Sequence, residues 1–209
     1  MLTVKKITVL YNEVTQLDVS DEKAILTEAG AKDDAEIIAS ALIKRGYDAE
    51  IFQVTEDSFN DLQNHQTDIY FNLCDGIGNI LKSEHKIPEM LELWKRPYTG
   101  SDGRAMQLTT NKVVTKELFI KNNIPTPKYI VYDKIPDEPP TDLIFPVIVK
   151  PAREDCSTGI YANSVVKNFR KLQTQTQKII NEFHQEALVE EYIDGKELNA
   201  TMVGCGERM

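Results

Sequence analysis

Basic residues are in short supply. Lys and Arg number 24 against 33 Asp and Glu, a formal net charge of −9. A general nucleic-acid binder needs clustered Lys and Arg to neutralise phosphates, so this balance excludes one while leaving room for a local basic pocket. Cysteine is scarce too. Cys74, Cys156 and Cys205 stand far apart and make neither a disulfide framework nor a metal-ligand spacing. A reducing, cytoplasmic compartment is therefore expected. Long apolar runs are missing: no stretch approaches the ~20 residues of a membrane span. The start, Met1–Leu10, is too short and too lysine-interrupted to read as a signal peptide, so no membrane partner is expected. His65, His85 and His184 are scattered, look unpartnered, and read as non-catalytic. No G-x-x-x-x-G-K-[ST] phosphate loop occurs, and there is no internal repeat or low-complexity tract.

What is present is ordinary for a globular chain: 209 residues, 41% apolar and 27% charged, enough for one or two domains with a core. Ile7–Tyr11 reads as a strand. Ala35, Ile38, Ala39, Leu42 and Ile43 form a helical stripe across Ala31–Arg45, which Gly46 closes. Asp48–Val54 and Asp68–Leu73 read as strands, with a short helix at Ser58–His65 and another helix at Ser83–Trp94. Strand–helix alternation predicts a parallel sheet. Arg96–Gly103 reads as a turn-rich exit. A helix from Asn111 to Asn122, with Thr110 as a candidate cap, ends before Pro125 and Pro127. Strands follow at Lys128–Tyr132, Pro146–Lys150 and Ala187–Ile193, with an amphipathic helix at Phe169–Phe183. Glu197–Val203 is expected to be a final strand. Unpaired, its edge would be covered in a homodimer or would promote aggregation.

The most informative stretch is Phe145-Pro-Val-Ile-Val-Lys-Pro-Ala-Arg-Glu-Asp-Cys-Ser-Thr-Gly159. It sets Lys150 at the end of an apolar strand and follows it with a polar loop ending in glycine. Lys150 is either a lysine snorkelling to water or a point charge for phosphate. The loop Arg153–Gly159 is either a plain connection or a nest of backbone N–H groups for an anion. Lys112 is either a solvated lysine or, since at a helix start it opposes the helix dipole, a charge with an anion nearby. Glu190 and Glu191 close the strand begun by Leu188 and Val189. They are either solvent-exposed or readers of an adenine amino group, with Glu197 available to ribose hydroxyls. Asn72 and Asp75 follow the third strand, where ligands of open parallel sheets bind, or else they only stabilise a turn.

In order, these pieces resemble the D-alanine–D-alanine ligase-like family of the ATP-grasp superfamily. The segments that carry the resemblance are Phe71-Asn-Leu-Cys-Asp-Gly76, Ile87–Leu93, Pro97–Asp102, Asn111-Lys112 with Thr115-Lys116, Ile124–Pro127, Pro146–Pro151, Arg153–Gly159, and Val189-Glu-Glu-Tyr-Ile-Asp-Gly195 with Glu197. The fold this implies is α/β: a parallel-sheet pre-ATP-grasp domain (1–103), the first, α+β ATP-grasp subdomain (104–193), and the start of the second (194–209). The resemblance implies an ATP-dependent carboxylate–amine ligase working through an acyl phosphate, with small-molecule amino-acid or carboxylate substrates. Lys112 and Lys150 are then the phosphate-binding lysines. Glu154 to Gly159 becomes the closing loop, with Cys156 and Ser157 at its catalytic positions. Glu190 reads adenine, Glu191 and Ile193 offer backbone groups, and Glu197 holds the ribose.

The sequence also departs from that family. Mg²⁺ is the expected metal, but its Glu and Asn ligands and the family's arginine are expected beyond Met209, so no metal ligand is assigned within the chain. Cys156 stands where the family usually has serine. Glu13, Gln16 and Asp18 compete for the acid that binds the first amino group, and Asn72–Gly76 replaces a histidine–glycine pattern. D-Alanine is therefore not fixed as the substrate. The expectation is an incomplete ligase inactive alone. The alternative is a non-catalytic nucleotide-binding or interaction remnant.

Overall fold

The structure, a computed structural model, describes residues 4–13, 30–80, 82–154, 157–202 and 204. Two sheets organise it. The first is parallel and three-stranded, built from β1 (Lys6–Tyr11), β2 (Asp48–Gln53) and β3 (Ile69–Asn72) in the order β2-β1-β3. Helix α1 (Ala31–Lys44) crosses between β1 and β2, burying Ala35 and Ala39 against Val9 and Tyr11. It stops where Gly46 takes φ +90°, a conformation that costs glycine nothing. On the other face Leu10, Leu62, Tyr70, Ile87 and Leu91 form a second core with α2 (Lys86–Leu93). The segment Phe59–Gln63 is 3-10 rather than α-helical.

Arg96–Asp102 is irregular, as the turn-rich reading expects, and an element that was not expected follows it. Gly103–Thr109 is a helix, α3, and Asp102 caps it by accepting from the Ala105 backbone N–H at 2.7 Å. Only one residue in it is buried, so apolar periodicity gave no sign of it. The cap of α4 (Lys112–Lys121) is likewise Asn111 rather than Thr110. The Asn111 side chain accepts from the N–H groups of Val113 and Val114, whereas the Thr110 hydroxyl turns back to the carbonyls of Met106 and Gln107.

The second sheet is antiparallel, in the order β4-β7-β5-β6, from β4 (Tyr129–Tyr132), β5 (Val147–Pro151), β6 (Val165–Val166) and β7 (Ala187–Glu191). Helix α5 (Phe169–Phe183), capped by Asn168, covers one face. Val147, Val149, Leu172, Ile179 and Val189 are fully buried between them. The expected final strand is not formed over 197–202, where Leu198 and Met202 are exposed. β7 already has β4 and β5 on its two sides, so it offers no free edge to a following strand.

Candidate functional site

Strand alternation decides which side chains meet. Ile148 lies opposite Glu190, and Lys150 opposite Leu188. With Val147, Val149, Ala187 and Val189 turned to α5, the opposite face receives Ile148, Lys150, Leu188 and Glu190. Lys150 and Glu190 are diagonal neighbours there, within reach for long side chains.

Glu190 is only 5% exposed. Its Oε1 accepts from Lys116 Nζ at 2.6 Å, and its Oε2 pairs with Lys150 Nζ. Lys116 comes from α4 and is equally buried. It also donates to Thr126 Oγ1 at 2.7 Å and lies over the Tyr129 ring, 5.0 Å from its centroid. Two ammonium groups thus share one buried carboxylate, leaving local positive charge on this face. Lys112 lies one turn earlier on the same side of α4, and its backbone N–H donates to the Ala152 carbonyl at 3.0 Å. That bond ties the helix to the root of the polar loop.

The loop is anchored mainly by Gln185. Its Oε1 accepts from the Arg153 backbone N–H at 2.6 Å, and its Nε2 donates to Glu154 Oε1 at 2.5 Å. Lys82, from the first sheet's half of the chain, also reaches Glu154, at 3.3 Å, and Arg153 pairs with Glu186 at 2.7 Å. Ser157 is exposed at φ +62°. Gly159 takes φ +73°, and a Cβ there would lie 2.6 Å from Pro151 Cγ and 2.8 Å from Phe183 Cζ. Cys156 lies outside the described residues.

The remaining candidates divide. The Glu191 carboxylate accepts from the Lys128 backbone N–H at 3.1 Å, and its own N–H goes to the Lys128 carbonyl, so only its carbonyl is left to offer. Ile193 and Glu197 are on exposed coil after β7. At the first sheet, Asn72 Oδ1 accepts from the Cys74 N–H and the Asp75 N–H donates to Asn12 Oδ1 at 2.9 Å. Glu13 accepts from Gln53 at 2.9 Å, and Asp18 is outside the described residues. Burial pushes the Cys74 thiol well above its ordinary pKa, so it is an inert packing group. His65 is not unpartnered: its Nε2 lies 2.8 Å from Glu50 Oε1.

Three residues were given no role from the sequence. Lys116 appears there only within Thr115-Lys116, one of the segments that carry the family resemblance, four residues after Lys112 and so on the same helix face. Gln185 has no sequence signal. Asn12 is 1% exposed with its Nδ2 unpartnered. It follows β1, the central strand of a β2-β1-β3 sheet, and so sits at the topological switch point where ligands gather.

The family model described as "D-ala D-ala ligase C-terminus" matches residues 118–209. A D-alanine–D-alanine ligase of Pelagibacter ubique is 29% identical over 197 residues, covering 88% of this chain and 58% of that protein. One from Marinomonas sp. is 32% identical over 189 residues, covering 83% and 56%. The chain is similar to the D-alanine–D-alanine ligase-like family over most of its length. A Sinorhizobium fredii protein described only as "Uncharacterized protein y4sG" is 40% identical over 137 residues, 66% of this chain and 39% of that one. The chain therefore spans little more than half the length of the ligases it matches. The D-alanine–D-alanine ligase of Bacillus anthracis, solved in complex with ATP, superposes with a TM-score of 0.69 at 20% identity, over 91% of this chain and 60% of its own. The fold expected for this ATP-grasp family is thus borne out over the described residues.

Proposed function

We propose that this chain carries the nucleotide-binding side of an ATP-dependent carboxylate–amine ligase of the D-alanine–D-alanine ligase type. The observation behind this reading is the buried Glu190 held between Lys116 and Lys150 on one sheet face, beside the loop that begins at Ala152. This donor set fits a nucleotide. A buried carboxylate suits an exocyclic amine, and lysines with charge to spare suit phosphates. ATP would supply the phosphoryl group that activates a carboxylate.

In this reading Lys150 and Lys112 hold phosphate oxygens, Glu190 accepts from the adenine amino group, and Glu191 and Ile193 line the base through their backbones. Glu197 takes the ribose. The loop from Glu154 through Cys156 and Ser157 to Gly159 excludes water above them. The domains at 1–103, 104–193 and 194–209 would divide the work, the first carrying the amino-acid side through Glu13 or Asp18 with Asn72 and Asp75. The described residues contain no group of three or more His, Cys, Asp or Glu able to hold a metal. No step is therefore routed through Mg²⁺. A cytoplasmic ligase acting on small amino acids, as in peptidoglycan synthesis, is the setting this reading implies.

Titration calorimetry with ATP tests it. The chain is expected to bind ATP, and Lys150→Ala to weaken binding by about tenfold or more, the worth of one charge-assisted contact. No binding at millimolar ATP would count against the reading.

A further inference from the structure

We propose that Lys116 is a positioning residue that anchors Oε1 of Glu190 and so holds Oε2 as the acceptor by which the site selects a 6-amino purine over a 6-oxo purine. The inference rests on the nucleotide reading above and deepens it.

The two lysines on Glu190 are not equivalent. Lys116 has 6% of its side chain exposed and is held from three directions, by Glu190 Oε1, the Thr126 hydroxyl and the Tyr129 ring. Lys150 has 21% exposed, and Glu190 Oε2 is its one charged partner among the described residues. A nucleotide phosphate can draw Lys150 off Glu190, whereas Lys116 has nowhere to go. When Lys150 leaves, Oε2 becomes free to accept from an exocyclic amine. Lys116 keeps Oε1 anchored, so the carboxylate stays turned to that amine. The groups facing Glu190 are Lys116 from α4, Lys150 from β5 and, beneath Lys116, Tyr129 from β4.

The placing of Oε2 decides which base is read. A carboxylate only accepts, so it pairs with the N–H of a 6-amino group and is repelled by the oxygen of a 6-oxo group. A carboxylate no longer anchored at Oε1 can turn from the base and loses that discrimination. Lys116 thus determines nucleobase choice without touching the base, while Lys150 contributes phosphate affinity with no base preference.

The test is binding of ATP and of inosine triphosphate, which differ at C6 and in the proton on N1, to the whole 209-residue chain. The wild type is expected to prefer ATP by about tenfold or more, since a site built for a donor strongly rejects its replacement. In Lys116→Met the ratio should fall to within about threefold. Lys116→Arg should restore the preference. Lys150→Ala should weaken both nucleotides while leaving the ratio unchanged. Thr126→Val, which loosens Lys116 but keeps its charge, covers the case in which Lys116→Met does not fold, and is expected to lower the ratio severalfold. An ATP preference that survives in both Lys116→Met and Thr126→Val overturns the role given to Lys116 and leaves the nucleotide reading standing. So does a wild type that binds the two nucleotides equally. A wild type that binds neither overturns both.

Discussion

On the face of the antiparallel sheet that meets α5, Val147, Val149, Ala187 and Val189 are fully buried. On the other face the alternating positions hold Ile148, Lys150, Leu188 and Glu190, with Lys116 above them. The same strands therefore present an oily layer to one side and a buried ion cluster to the other. Each valine on the first face stabilises the fold by roughly 1.5–3 kcal/mol. Buried ion pairs contribute little net stability, because desolvation offsets their attraction, and apolar replacements are often neutral or better. A sheet selected for stability alone would carry apolar residues at Lys150 and Glu190 as well. The contrast assigns stability to the α5 face and ligand chemistry to the other, and it can be broken from either side.

The largest expected effect is on the α5 face. Ile179 is fully buried there, and Ile179→Ala should cost about 2–5 kcal/mol from lost transfer energy plus the cavity left behind. Urea denaturation would show this as a lower midpoint. ATP affinity, measured where the variant is still folded, should change less than about twofold. A large loss of affinity in the folded variant would mean that the two faces are coupled, and the division would fail.

Gly159 tests the seam between the faces. Its φ of +73° and its packing on Pro151 and Phe183 join the loop above the ion cluster to the core below. Gly159→Ala forces a side chain into both rings at a backbone angle it disfavours. A cost of about 1–3 kcal/mol is expected, together with weaker ATP binding as the loop shifts. Loss of stability with affinity untouched would remove the loop from the site.

The α5 face was far more legible in sequence than the ion cluster. Phe169–Phe183 has the expected helix limits because Leu172, Ile179 and Phe183 repeat on one stripe between an Asn cap and a turn. β5 was legible as a short apolar run. Lys150 and Glu190 were found as candidates through their places at strand ends, but nothing local said that they touch. Their pairing depends on β7 entering between β4 and β5, a non-consecutive order. Lys116 was named only within a segment of the resemblance, and its role was hidden for the same reason, since its partners Thr126, Tyr129 and Glu190 come from later in the chain. Helix α3 was missed because a seven-residue helix with one buried position carries no period to read. The strand expected at 197–203 had the right residues, but β7, the strand before it, offers no free edge. Local pattern thus recovers elements whose stability is local, while a site assembled by strand order waits for the fold.

The smallest expected effect comes from the first sheet, where an ion cluster is solvated rather than buried. Burial works against the charge of Glu50, but hydrogen bonds from Lys6, His65 and Thr8 outweigh it and hold the carboxyl below its ordinary value of 4.5. A carboxyl with a lowered folded-state pKa contributes stability that is present above its unfolded pKa and lost as pH falls through the folded one. Because the side chain is 38% exposed, screening keeps that contribution under about 1 kcal/mol. Wild type and Glu50→Gln should therefore differ slightly in thermal midpoint at pH 7, and the difference should fade on acidification below about pH 4. Added salt should shrink it further, since exposed pairs are screened. The Lys116–Glu190–Lys150 cluster, shielded from solvent, should not respond to salt in this way. A Glu50→Gln difference that stays constant from pH 7 to pH 3 would show that the lost contact is steric rather than ionic, and would erase the distinction between solvated and buried clusters.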